Sequence, residues 1–113
     1  MSRRTGRRAE AWCALVLRLK GYGIVGRNLR LPGAEVDVLA RRGRVLAVVE
    51  VKTRGTVGEA VAAVTRDKQR RLERAAGAWL ARRPDHAGLD IRFDVMVVGR
   101  RPWPHHIPDA WRP

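Results

Sequence analysis

The sequence predicts an α/β fold: a small mixed β-sheet flanked by helices, in the order α-β-β-β-α-β. Three observations lead there. Apolar residues recur at helical spacing near residues 7–20 and 65–83. Strand-like runs occupy 35–40, 45–53 and 90–99, with a weaker one at 24–31. The second helical segment lies between two of those strands, which is the arrangement of a right-handed parallel crossover.

At 113 residues the chain has room for one core, so residues 1–113 are read as a single domain. Residues 1–6 form a basic arm, and the first helix follows with Trp12, Leu15, Val16 and Leu19 as its apolar stripe, widened by Cys13 and Leu17. Glu10 flanks that stripe; an acid near a helix N-terminus is also favoured by the helix dipole alone. Gly21 and Gly23 end the helix. Pro32-Gly33 is a turn between the first two strands, and RRGR, with Gly43 at positive φ, joins the strands EVDVLA and VLAVVEVKT into a hairpin. The segment 55–59 reads as a loop. Thr65 caps the second helix, which buries Leu72, Ala75, Ala76, Trp79 and Leu80 and ends before Pro84. Residues 100–113 read as a Pro-rich irregular tail.

Along the strand 45–53, Val45, Ala47, Val49 and Val51 point one way and Leu46 and Val48 the other. Both faces are apolar, so both should be covered.

The charge is lopsided: 24 basic against 11 acidic residues, net +13, with a pI near 11.7. All the basic residues except Lys20, Lys52 and Lys68 are arginine, which a GC-rich genome would explain. The excess of base over acid is not explained that way. A polyanion, above all nucleic acid, is the expected partner, with an anionic membrane surface second. The single cysteine, Cys13, excludes a disulfide framework and a cysteine-rich zinc site. No stretch is long and apolar enough to span a bilayer. The expectation is a cytoplasmic protein that meets no membrane.

The strand that ends VEVKTR carries charge where burial is expected. Glu50 and Lys52 share a face of it, and Glu35 and Asp37 share a face of its partner. With a two-residue turn at Arg42-Gly43, Leu39 faces Leu46, Asp37 faces Val48 and Glu35 faces Glu50, leaving Asp37 diagonal to Glu50. Two like charges 4 Å apart repel by about 4 kcal/mol at an effective dielectric of 20. Spacing leaves two readings open: a hard divalent cation gathers the acids, or the hairpin end is solvated and they splay into water.

Asp37 followed by Glu50-Val51-Lys52 resembles the D…(D/E)-x-K signature of restriction-endonuclease-like nucleases. A longer ordered string is similar to the YraN family of uncharacterised bacterial proteins: Arg7-Arg8-Ala9-Glu10, Gly21-Tyr22, Arg27-Asn28-Leu29, Glu35-Val36-Asp37, Val49 to Arg54, Lys68-Gln69-Arg70-Arg71-Leu72 and Arg92-Phe93-Asp94-Val95. The chain departs from that pattern in the loop 55–64 and at Ala34, where a second glycine is usual.

The resemblance implies a restriction-endonuclease-like sandwich akin to archaeal Holliday-junction resolvases, and Mg²⁺- or Mn²⁺-dependent cleavage of structured or branched DNA. On that reading Asp37, Glu50, Glu10 and the Val51 carbonyl hold the metal. Asp37, Glu50, Lys52 and Glu10 form the catalytic set, with Lys52 orienting water or offsetting transition-state charge. Glu35 is a supporting candidate, and the side to which Asp94 points is open. Arg7, Arg8, Arg54, Lys68, Gln69, Arg70 and Arg71 are candidate phosphate contacts; a solvated helix face is the bland alternative for the α-helical ones. No basic stretch interleaves with aromatics, so backbone and shape recognition is expected rather than base stacking. His86, His105 and His106 have no metal-ligand spacing, and the pair in the tail reads as surface. The alternative function is a nucleic-acid-binding protein of nuclease-like fold, inactive alone and working within a homodimer or a partner complex.

Overall fold

The computed structural model describes residues 3–53, 55–99 and 102–113. Helix α1 (Arg3–Leu19) precedes strands β1 (Gly23–Leu31), β2 (Ala34–Arg42) and β3 (Val45–Lys52). Helices α2 (Val57–Ala62) and α3 (Arg66–Ala81) then cross over to β4 (Asp90–Val97), and β5 (His105–Trp111) closes the sheet. The sheet is five-stranded in the order β1-β2-β3-β4-β5. Only β3 and β4 run parallel; the other neighbours are antiparallel. The α/β class, the mixed sheet and the order of the expected elements hold.

The additions have local causes. Within the expected loop, Thr56 accepts from the Glu59 N–H at 3.1 Å while the Glu59 carboxylate accepts from the Thr56 N–H at 2.8 Å. This reciprocal capping box nucleates α2. The tail is not irregular: His105–Trp111 forms edge strand β5, where Pro108, lacking an N–H, is tolerated. Its anchor is Trp111, which pairs with Phe93, stacks on that ring at 5.1 Å and donates its indole N–H to Glu73. The arm is helical from Arg3 onward.

Each face of the sheet carries its own core. Leu46, Val48, Phe93, Val95 and Val97 pack with Leu72, Ala76 and Trp79 of α3. Ala47, Val49 and Met96 pack with Cys13, Val16 and Leu17 of α1. The alternation expected for β3 is therefore realised, and both faces are covered. Thr65 caps α3 by accepting from the Lys68 N–H.

The stripe of α1 sits differently from expectation. Leu15 and Leu19 are 44% and 69% exposed, whereas Ala9, Cys13 and Ala14 are buried. Small side chains on the inner line let the helix approach the sheet closely and turn the bulkier leucines outward. The helix ends in a Schellman motif: the Tyr22 N–H reaches the Leu17 carbonyl and the Gly21 N–H reaches that of Arg18, with Gly21 at φ 94.

Candidate active site

The β2–β3 turn is at Gly43-Arg44 rather than Arg42-Gly43, so Arg42 pairs with Val45 and Leu39 with Val48. This slides the expected register by two residues. Side-chain parity survives such a slip, and Asp37 moves from diagonal to Glu50 to the level of Glu50.

At that level the two strands part. Their pairing ends at Val38 and Val49. Beyond it β2 stays with β1 through Leu29–Val36 and Leu31–Ala34, while β3 stays with β4 through Lys52–Val97. The Asp37 carboxylate fills the gap, accepting the Val51 N–H at 2.8 Å in place of a ladder bond.

Two further acids reach this fork from different elements. Glu50, on the α3 face of β3, is 1% exposed, and Glu10, on α1, is 7% exposed. Among the described residues, Glu10 Oε1 and both oxygens of Glu50 have no hydrogen-bond partner. Lys68 of α3 places its Nζ 2.7 Å from Glu50 Oε1. The approach is an ion pair by distance, poorly aligned as a hydrogen bond. Asn28 lies across from Asp37, between the pairs Arg27–Val38 and Leu29–Val36. Its left-handed backbone (φ 50) accompanies a side chain close enough to favour the charged form of Glu10.

The electrostatics follow from crowding and burial. Burial first, and the Asp37 charge second, push Glu10 up to about 7, against the opposing influence of Asn28. The same two causes push Glu50 up to about 7 despite Lys68. Burial also raises Asp37, although the Val51 N–H, Lys68, Glu10 and Lys52 resist. Lys68 is raised because Glu50 and Asp37 outweigh its own burial. Cys13, beneath the cluster, is pushed up to about 12 by burial and by Asp37 and Glu10, leaving an unreactive thiol.

The other expected residues divide. Lys52 lies near enough to favour the charged forms of Asp37 and Glu50. Glu35 is half-exposed and paired with Arg30 at 3.7 Å, outside the fork. Lys68 turns inward to Glu50, and the Gln69 amide donates to the Val64 carbonyl, bracing the α2–α3 turn. Arg7, Arg8, Arg70 and Arg71 are exposed on their helices, Arg71 paired with Asp67. Arg54 lies outside the described residues.

Asp94 belongs elsewhere. It is fully buried on the α1 face and accepts from Arg92, from His106 at 2.8 Å and from the Asp109 N–H at 3.0 Å. Arg92 also donates to the Tyr22 hydroxyl, and His106 Nδ1 meets Lys20 Nζ at 2.9 Å. Burial would raise Asp94, but Arg92, His106 and the Asp109 N–H outweigh it and hold the carboxyl below its ordinary value. The His106 side chain is only 4% exposed, so the expected surface histidine is a buried partner of Asp94.

Sequence reading missed Lys68 as the partner of Glu50 and gave Asn28 no task. The one available signal for Asn28 was its residue type, since asparagine tolerates left-handed backbone. Among the described residues, no three His, Cys, Asp or Glu side chains stand at metal-holding spacing. The donor set nonetheless suits a hard cation: carboxylate oxygens alone, of which Glu10 Oε1 and Glu50 Oε2 are buried without a partner among the described residues.

Fold and site together define an α/β protein with two buried acids, Glu10 and Glu50, and the half-buried Asp37 gathered where two strands of its sheet diverge. The chain belongs to the uncharacterised protein family UPF0102, whose model matches residues 9–98. It is 54% identical to a UPF0102 protein of Parvibaculum lavamentivorans over 97% of this chain and 83% of that one. A UPF0102 protein of Paramagnetospirillum magneticum is 51% identical over 98% and 89%. A third, from a Chelativorans species, is 46% identical over 96% and 87%. The uncharacterised-family membership expected from the residue string holds.

Proposed function

We propose that the protein is a Mg²⁺-dependent DNA endonuclease that hydrolyses phosphodiester bonds in structured or branched DNA. The observation that carries this reading is the meeting of Glu10, Asp37 and Glu50 at the β2–β3 fork beside Lys52 and Lys68, with buried carboxylate oxygens left unpartnered. Buried acids without partners cost stability, so a fold that keeps them together needs another reason to do so.

Asp37, Glu50 and Glu10 would hold the ion, with the Val51 carbonyl a further candidate. Mg²⁺ or Mn²⁺, when bound, supplies charge neutralisation at the scissile phosphate and a more acidic water. The chain's own part is positioning. The Val51 N–H fixes the Asp37 carboxylate. Lys52, on the same strand face as Glu50, supplies a cation for charge developing on the phosphate. Lys68 neutralises Glu50 until a phosphate or metal competes for one of them. The net charge of +13 draws the DNA backbone to the molecule. The nuclease-like comparison rests on the D…ExK arrangement at the end of two adjacent strands and on the α/β architecture.

A second reading, DNA binding without catalysis outside a partner complex, is favoured by one observation. The Lys68–Glu50 ion pair closes the site against a third ligand.

A cleavage panel separates the two readings: duplex, single-stranded and four-way-junction DNA, each with Mg²⁺, Mn²⁺ or chelator, for wild type, Asp37→Ala and Glu50→Ala. The endonuclease reading expects metal-dependent cutting of the branched substrate that both substitutions abolish. Binding without cutting in every lane, or cutting that survives both substitutions, sinks it. Binding insensitive to salt would remove the phosphate contacts as well.

A further inference from the structure

Next to the acid fork lies an open, mostly apolar cavity of about 1110 Å³ that the catalytic reading does not use. It sits at the carboxyl ends of the parallel strands β3 and β4, where open α/β sheets commonly bind ligands. Ala9 and Thr53, chain neighbours of Glu10 and Lys52, are on its wall, so it lies close to the site although Glu10, Asp37, Glu50 and Lys52 do not line it. Trp12 and Trp103 also line it, and they are stacked with centroids 5.3 Å apart and planes at 17°. The Trp12 indole N–H donates to the Pro102 carbonyl at 3.0 Å, fixing the inner ring. Trp103 is the outer ring and is 58% exposed.

We propose that this cavity receives an unpaired nucleobase of the DNA substrate, stacked on the free face of Trp103, beside the phosphate presented to Glu10, Asp37 and Glu50. The proposal rests on the nucleic-acid part of the reading above and adds the substrate class: DNA with unpaired nucleotides. A flat aromatic face backed by a second, anchored ring continues a base stack without sequence preference. Arg8 lines the same cavity, and the positive chain as a whole favours a polyanion over a neutral apolar peptide. Glu59, the one acid on the wall, is engaged in the capping box with Thr56. The aromatic pairing is invisible in sequence because ninety-one positions separate the two rings, which is why base stacking was not expected.

The test is a binding titration in chelator, so that no cleavage is required. Fluorescently labelled oligo-dT, a flapped duplex and a blunt duplex of equal charge are compared for wild type, Trp103→Ala and Trp103→Phe. Loss of a base–aromatic stack predicts roughly five-fold or greater weakening for oligo-dT and flap in Trp103→Ala. Trp103→Phe should recover much of it, and the blunt duplex should be unaffected. Trp103 is half-exposed, so the alanine variant should fold; an unchanged circular dichroism melt confirms it. Equal loss on blunt duplex, or no loss on any DNA, overturns the proposal, and the latter result leaves the cavity to a protein segment. If wild type never cuts but binds unpaired DNA through Trp103, the endonuclease reading fails and this one stands. If it cuts while Trp103→Ala binds all three DNAs as wild type does, the reverse holds.

Discussion

The two buried carboxylate clusters of this sheet are opposites. Asp94 is fully buried yet accepts from a guanidinium, an imidazole and a backbone N–H, and its pKa is lowered. Glu10, Asp37 and Glu50 crowd one fork of the sheet, leave oxygens of Glu10 and Glu50 without a hydrogen-bond partner among the described residues, and are all raised. The near-equal burial of Asp94 and Glu50 therefore has different meanings. Asp94 holds β4, β5 and the end of α1 in place; the fork acids are kept at a cost to the fold. Satisfied burial marks architecture, and unsatisfied burial is what the proposed site rests on.

Four measurements would break or sharpen the contrast. The largest effect belongs to Asp94→Ala, which strands a half-buried Arg92 and should cost about 3–5 kcal/mol in a denaturant melt. A neutral result would erase the distinction between the clusters.

Glu10→Gln should act in the other direction. The raised pKa means the folded state holds its proton more tightly than the unfolded chain does. Stability is therefore fully present below the ordinary carboxyl value of 4.5 and is lost as pH rises through about 7. At pH 8 in chelator, removing that charge should raise stability by up to roughly 3 kcal/mol, at about 1.4 kcal/mol per pKa unit. Wild type should melt higher near pH 5 than near pH 8, and Glu10→Gln should flatten the slope. A variant that melts lower than wild type at pH 8 would show the acids to be satisfied after all.

Mg²⁺ at a hundred times its dissociation constant should stabilise wild type at pH 8 by about 2.7 kcal/mol. Asp37→Ala should abolish that response, while a variant at Asp94 should retain it in relative terms. Smallest is Asn28→Gly, which keeps the left-handed backbone but removes a polar neighbour that favours ionised Glu10. The Glu10 titration followed by NMR should move above about 7; a downward shift would place Asn28 outside the cluster.

Much of this architecture could be read from local pattern. Parity alone put Glu50 and Lys52 on one face and divided β3 between two cores, because alternation does not depend on which residues lie opposite. Register did depend on it, and the turn at Gly43-Arg44 brought Asp37 level with Glu50. The capping box Thr56–Glu59 is present in the residues, and it is what turns the expected loop into α2. What local pattern cannot contain is contact across the chain. Lys68 on Glu50, His106 on Asp94 and Trp111 on Phe93 each join segments separated by a helix or a turn. The stripe of α1 was misplaced for a related reason: hydrophobicity marks which residues prefer burial, while the close approach of small residues decides which ones achieve it.

Asn28 has a consequence beyond its influence on Glu10. It sits on β1, the outer strand of the sheet, where its left-handed backbone follows a register break between Ile24 and Gly26. On the opposite border, β5 carries Pro108 and a left-handed Asp109. Neither border offers the flat, unbroken row of N–H and C=O groups that recruits another strand. Such interrupted borders disfavour extension of the sheet between two copies of this chain. The residue that steadies Glu10 thus also helps to guard the protein against edge-to-edge aggregation.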